Sequence, residues 1–165
     1  MISSLLISIV ITLLFSAFFS GMEIAFISAD RVRLELDYRK EGTTSHIIQF
    51  FYSNTERFIS TMLVGNNIAL IIYGILMAKL IEPWILFFCS NELLVALIQT
   101  LLSTIIILFT AEYLPKTLFK LNPNMMLRAF AIPLYGIYWL LYPISSFATL
   151  LSHTIDRKST RLNSS

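Results

Sequence analysis

Residues 2–29, ISSLLISIVITLLFSAFFSGMEIAFISA, are the stretch of sequence that decides the fold. The run is long enough to cross a bilayer, because about 20 apolar residues in a helix span the hydrocarbon core. Polar residues recur through it at intervals of four residues and then three, which places them on one helix face: Ser8, Thr12, Ser16, Ser20 and Glu23. An acid inside such a segment indicates a functional site.

The composition of the whole chain is that of an integral membrane protein. Hydrophobic residues make up 56% of the 165 residues, charged residues 13%, and the mean hydropathy is +0.75. A soluble domain is far more polar. The net charge of +2 does not indicate a nucleic-acid partner, so none is expected. The single cysteine, Cys89, permits no internal disulfide and is interpreted as a small apolar filler.

Two further apolar runs predict a second and a third transmembrane helix, at about 58–78 and 93–111. Between the first two runs, residues 30–57 are rich in charge and predict a helical hairpin in water. Its first short helix is expected to stop near Gly42, and its second to cover about 45–52.

Helix-breaking residues are expected to interrupt two of the apolar stretches. Residues 129–151 contain Pro133 and Pro143, so we predict broken juxtamembrane helices there, with a full fourth span as the alternative. A break of the first helix is expected at Ser20-Gly21. The predicted fold is therefore all-α and integral to the membrane, with three transmembrane helices, a cytoplasmic-side helical hairpin and broken juxtamembrane helices.

Basic residues give the expected orientation. Five Lys or Arg lie in 30–57 and three more follow the third run, whereas the loop after the second run has only Lys79 at its edge. By the positive-inside rule the two basic regions are cytoplasmic. We therefore expect a multi-pass protein of the plasma (inner) membrane, with its N-terminus outside and its C-terminus in the cytoplasm.

The polar residues inside the three predicted spans are oxygen donors, chiefly Ser16, Ser20, Glu23, Asn66, Asn67 and Glu112. Cysteine and histidine are absent from this set, which argues against zinc or copper and favours a hard cation such as Mg²⁺, Ca²⁺ or Na⁺. Glu112 precedes Pro115, which removes a hydrogen-bond donor from its helix. The alternatives are structural: hydroxyls that bond the backbone one turn earlier, and an ion pair of Glu112 with Lys116.

Three motifs on successive spans carry a family resemblance: Phe19-Ser-Gly-Met-Glu-Ile-Ala25, Gly65-Asn-Asn67 and Glu112-Tyr-Leu-Pro-Lys116. In this order they resemble the transmembrane domain of the cyclin-M (CNNM)/CorC family of magnesium transport proteins. The similarity covers about residues 1–155, which we take as one domain. Residues 156–165 are expected to be a non-native or disordered tail.

The resemblance implies a homodimer in the lipid bilayer that exports Mg²⁺, driven by Na⁺, and holds the largely dehydrated Mg²⁺ between its helices. Carried over by motif, the metal candidates are Ser16, Ser20, Gly21, Asn66, Asn67 and Glu112. Coupling or structural candidates are Glu23, Pro115 and Lys116. Leu70 stands where many members carry another Asn. The family continues into cytoplasmic paired CBS modules, so a nucleotide partner is expected only through modules that this sequence lacks.

Two other classes of function are open to the same residues. A membrane scaffold or accessory subunit would use the same residues only to pack helices. An intramembrane hydrolase using Ser20 with Glu23 or Glu112 lacks a base, because His46 and His153 lie in an aqueous loop and near the tail. No enzymatic activity is therefore expected.

Overall fold

The first predicted span is one uninterrupted helix, α1, which covers Ile2–Ser28. The computed structural model describes residues 2–30, 32–34, 42–88 and 90–162, with side chains as far as residue 147 except that of residue 145. The predicted break at Ser20-Gly21 is wrong, since α1 continues through it. Both residues are buried against neighbouring helices, and this packing offsets the poor helix propensity of glycine.

The rest of the described chain is also helical. No strand occurs in residues 2–30, 32–34, 42–88 or 90–162, so the all-α prediction is confirmed there. The remaining elements are α2 (Thr43–Ser53), α3 (Thr55–Phe88), α4 (Glu92–Ile107), a π-helical segment (Leu108–Tyr113), α5 (Leu114–Leu121) and α6 (Pro123–Leu162).

Four helical stretches in the described residues are long and apolar enough to cross a membrane, so the predicted number of three spans is not confirmed. They are Ile2–Ser28, Thr55–Phe88, Glu92–Leu121 and Pro123–Ile144. We call Glu92–Leu121 the third span, because α4, the π segment and α5 follow one another without interruption. The molecule is therefore a multi-pass membrane protein.

The broken helices predicted over 129–151 are wrong, because α6 runs without interruption through Pro133 and Pro143. One face of α6 is buried against α1, α2 and α3. This packing holds the helix together, and proline is tolerated in membrane helices where neighbours satisfy the freed backbone groups. The buried residues recur at helical spacing: Leu127, Ala131, Leu134 and Tyr138.

The predicted hairpin is only partly visible. Its second helix is present as α2, and Gly42 is the N-cap residue of that helix. The first helix falls largely on residues 35–41, outside the described residues, and only 32–34 of it is seen to be helical. Cys89 also lies outside the described residues.

An aromatic core joins α1, α2, α3 and α6 at one end of the bundle. The ring of Phe58 lies 4.3 Å from that of Phe26 and 4.7 Å from that of Phe51, between ring centres. Phe51 in turn lies 5.7 Å from Tyr138. All four side chains are at most 2% exposed. This core fixes α1 against α3, the two helices that carry most of the predicted site.

Candidate functional site

Most hydroxyl groups in the membrane helices have a structural role. They donate to a carbonyl of their own helix one turn earlier, as Thr61 does to the carbonyl of Arg57 at 2.7 Å. This back-bonding gives the hydroxyl proton a partner within its own helix, which is the usual structural role of Ser and Thr in membrane helices. The same pattern is found at Ser8, Thr12, Thr100, Ser103 and Thr110.

Ser16 is different because it bonds to another helix. Its Oγ donates to Oδ1 of Asn66 on α3 at 2.7 Å. Ser16 is fully buried and Asn66 is half-buried. The structure thus brings together two of the predicted site residues, one from the first predicted span and one from the second.

Ser20 lies one turn after Ser16 on the same face of α1. Its side chain is 0% exposed, and its Oγ has no hydrogen-bond partner among the residues that the structure describes. Leaving a buried hydroxyl unsatisfied costs about 1–3 kcal/mol, so such a group needs an explanation. We call Ser16, Ser20 and Asn66 the Ser–Asn group.

The two glycines next to the Ser–Asn group are each covered by an aromatic ring from another helix. A Cβ added to Gly21 would lie 2.7 Å from Cδ2 of Phe119 on α5. A Cβ added to Gly65 would lie 2.6 Å from Cζ of Phe19 on α1. Both motif glycines therefore permit a close approach. Phe119 was missed by the sequence reasoning, because no local pattern links it to Gly21.

A second set of predicted residues lies between α1 and the third span. Lys116 Nζ is 3.9 Å from Oε2 of Glu112, at the outer limit of an ion pair. Glu23 on α1 interacts electrostatically with both of these residues. We call Glu23, Glu112 and Lys116 the charged group. The ion pair that was the structural alternative for Glu112 is therefore present.

The π segment places Glu112 next to a freed backbone oxygen. In this segment the N–H of Leu114 donates to the carbonyl of Phe109, five residues back. Pro115 is buried and has no N–H, so one carbonyl of the preceding turn has no donor at that position. This carbonyl belongs to Thr110 if the hydrogen bonds keep the π register, and to Ala111 if they return to the α register. Single π turns within helices occur frequently at functional sites.

The remaining candidate, Asn67, is exposed on α3 and lies outside the Ser–Asn group. The structure therefore places the candidates in two groups, one between α1 and α3 and one between α1 and the third span, with α1 contributing to both. In the part of the chain that is described, no three His, Cys, Asp or Glu side chains gather into a metal-binding cluster. The oxygen atoms in the two groups that could bind a cation belong to hydroxyls, an amide, single carboxylates and a backbone carbonyl.

These features define a multi-pass, all-helical membrane protein with oxygen donors buried between its spans. Residues 6–162 match the family described as the cyclin M transmembrane N-terminal domain, so the chain belongs to this family. The predicted resemblance is confirmed. The family is generally linked to divalent cation transport.

Two relatives come from mycoplasmas. The chain is 26% identical over 155 residues to the UPF0053 protein MG146 homolog of Mycoplasma pneumoniae, and 26% identical over 151 residues to the UPF0053 protein MG146 of Mycoplasma genitalium. These alignments cover 92% and 89% of this chain, and 36% and 35% of the relatives. The chain therefore spans about a third of the length of the curated relatives it matches.

Proposed function

We propose that this domain transports Mg²⁺ across the membrane, exporting it in exchange for Na⁺, through a site built on the Ser–Asn group and Glu112. The observation that carries the proposal is the fully buried Oγ of Ser20, which lacks a partner among the described residues and lies one turn from the Ser16–Asn66 bond. A hydroxyl that does not serve its own helix is available to a cation.

The spacing of the two bonded oxygens suits a small cation. Mg²⁺ takes six oxygens at about 2.0–2.1 Å, so adjacent ligands of its octahedron lie about 2.9 Å apart. Ser16 Oγ and Asn66 Oδ1 are 2.7 Å apart. Rotation of the Ser16 hydroxyl would turn its proton away from Asn66 and free both oxygens for the ion. Ser20 adds a third oxygen, and the remaining positions are left for Glu112, a backbone carbonyl and water.

The charge of the ligands determines how tightly the proposed site holds Mg²⁺ and how readily it releases the ion. The Ser–Asn group is neutral, and neutral ligands hold a divalent cation weakly enough to let it leave. Glu112 supplies the negative charge that a partly dehydrated Mg²⁺ requires. We propose that Glu112 exchanges between Lys116 and the ion, with the carbonyl freed by Pro115 as a further ligand. Glu23, the second acid of the charged group, then serves the coupling Na⁺ or anchors α1.

The surroundings of the domain are proposed on the same basis. We place it in the plasma (inner) membrane as a homodimer, with the end of the bundle that carries the basic residues in the cytoplasm. Nucleotide would act only through modules outside this chain. Gly21 contributes by letting Phe119 approach α1, and Asn67 is proposed to reach the ion in another conformation of α3.

The test is Mg²⁺ flux into liposomes that contain the purified chain and a Mg²⁺-sensitive dye, with and without an opposing Na⁺ gradient. We expect Ser20→Ala, Asn66→Ala and Glu112→Gln each to reduce the flux at least tenfold. Thr12→Ala is the matched control, because Thr12 lies on the same polar face of α1 but its hydroxyl donates to the backbone of its own helix. Its flux should equal that of the parent.

Three outcomes would contradict the proposal in whole or in part. Equal flux in the parent and in all three site variants would show that the ion takes another path. If the parent moves no Mg²⁺ and addition of Mg²⁺ leaves its melting temperature unchanged, the membrane scaffold becomes the better interpretation. If Mg²⁺ flux is the same without a Na⁺ gradient, the proposed exchange with Na⁺ is contradicted, whereas the proposed Mg²⁺ site is not.

A further inference from the structure

We propose that a cavity at one end of the bundle binds the phosphate headgroup of an anionic phospholipid. The cavity has a volume of about 650 Å³ and is walled by the end of α1, the residues just after it and the beginning of α6. Its lining includes Ser28, Arg33, Asn122, Asn124 and Arg128. A volume in this range is typical of small-molecule sites. No residue of the Ser–Asn group or the charged group lines it.

The cavity lies at the depth of lipid headgroups. It is lined by Ser28, the last residue of α1, by Leu121, the last residue of the third span, and by Pro123, the first residue of α6. Three membrane-spanning stretches therefore begin or end at its walls. Basic pockets between transmembrane helices at such a position are known binding sites for anionic headgroups.

The charge of the lining favours an anion. Among the described residues that line the cavity, two are arginines, Arg33 and Arg128, and one is an acid, Asp30. Both arginine side chains are exposed, and the five N–H donors of a guanidinium can serve a ligand as well as a protein partner. A guanidinium matches a phosphate group with paired hydrogen bonds, which a lysine cannot reproduce. The Oδ1 atom of Asp30 accepts from the backbone N–H groups of Val32 and Arg33, and its one negative charge is outnumbered by the two positive charges of the described arginines.

The two walls of the cavity are tied together before any ligand binds. The backbone N–H of Asp30, which follows α1, donates to Oδ1 of Asn124 at the start of α6, at 3.1 Å. This bond joins segments that are far apart in the sequence. It keeps the arginine that follows α1 beside the arginine on α6, so little ordering is required when the ligand enters.

The lining is also amphiphilic, which favours a lipid over a free phosphate ion. Leu121 and Met125 line the same cavity and are 70% and 66% exposed. Leu121 is the last residue of the third span, and Met125 lies in the first turn of α6. A phospholipid would place its phosphate on the arginines and the beginning of its acyl chains on these two apolar side chains, whereas inorganic phosphate would leave them uncovered.

The test is native mass spectrometry of the purified full chain titrated with phosphatidylglycerol, and with phosphatidylcholine as the zwitterionic reference. We expect the preference for phosphatidylglycerol to fall about fivefold for Arg33→Gln and about 25-fold for Arg33→Gln/Arg128→Gln, because each basic residue near a membrane surface contributes about 1 kcal/mol. Lys120→Gln is the matched control: it removes one positive charge at the same end of the bundle without touching the cavity lining. Circular dichroism confirms that each variant is folded.

Each remaining outcome overturns part of the proposal. An equal loss in Lys120→Gln would show that the lipid responds only to the charge of the whole surface. An unchanged preference in Arg33→Gln, whose backbone bond to Asp30 is retained, would remove the cavity as the binding site. If millimolar inorganic phosphate displaces phosphatidylglycerol, the site belongs to a soluble anion and the lipid assignment fails.

Discussion

Replacing Gly21 by alanine tests the contact that holds the third span against α1. The added Cβ would lie 2.7, 2.8 and 2.9 Å from Cδ2, Cγ and Cε2 of Phe119. Carbon atoms prefer to be about 3.5–4.0 Å apart, so the ring must retreat by a large part of an ångström. Rotation of the ring does not clear the clash, because Cγ is its point of attachment. The ring is also stacked on Phe130, with 5.9 Å between ring centres.

Two effects of opposite sign determine how much Gly21→Ala changes the free energy of unfolding. Forcing an extra methyl group into packed surroundings costs about 1–3 kcal/mol. Alanine in a helix interior is more favourable than glycine by about 0.5–1 kcal/mol. Gly74→Ala measures the gain in helix propensity alone, since nothing lies within 4 Å of a Cβ added at Gly74. We therefore expect Gly21→Ala to be about 1–3 kcal/mol less stable than Gly74→Ala.

The measurement is equilibrium unfolding of the purified chain in mixed micelles, followed by far-ultraviolet circular dichroism. A double-mutant cycle adds Phe119→Ala. In that background the methyl group has room, so Gly21→Ala should become neutral or stabilising. Equal stabilities of Gly21→Ala and Gly74→Ala in the parent background, or the absence of coupling to Phe119, would refute the assignment of Gly21 as a close-approach position.

Three further predictions use the same unfolding measurement. A cycle of Ser16→Ala and Asn66→Ala should give a coupling of about 0.6–2 kcal/mol, as interhelical bonds in membranes do; additive effects would contradict the bond. Tyr73→Phe removes a buried bond to the carbonyl of Ser103 and should destabilise by a similar amount; no loss would show that the bond is absent. Leu134→Ala should cost about 2–5 kcal/mol and Leu140→Ala, at 75% exposed, less than about 0.5 kcal/mol; equal costs would contradict the buried face of α6.

The sequence predicted best those features that depend on local pattern. The first span is confirmed to within one residue at its end, because an uninterrupted apolar run has one stable arrangement in a bilayer. The family was identified from three short motifs. A contact of Ser16 with another helix is compatible with the sequence, because the polar face of α1 and the Gly-Asn motif both carry side-chain oxygens. Only the structure shows that Asn66, and not Asn67, faces α1.

The features that the sequence did not reveal depend on contacts between distant residues. Proline and glycine predicted breaks in α6 and α1, and both helices continue because their buried faces are packed on neighbours. Local propensity is a weak guide where tertiary packing opposes it. The register of the π segment could not be read from the sequence either, although Pro115 marked the turn that it disturbs.

Ser20 decides between a structural and a functional interpretation of the site, because the two predict opposite signs for stability. A buried hydroxyl without a partner destabilises the fold by about 1–3 kcal/mol, so Ser20→Ala should make the Mg²⁺-free chain more stable. The same substitution should abolish the rise in melting temperature that Mg²⁺ gives the parent, since a ligand stabilises only the state that binds it. If Ser20→Ala instead destabilises the Mg²⁺-free chain, the hydroxyl serves the packing of α1, and the observation that carries the proposed site is lost.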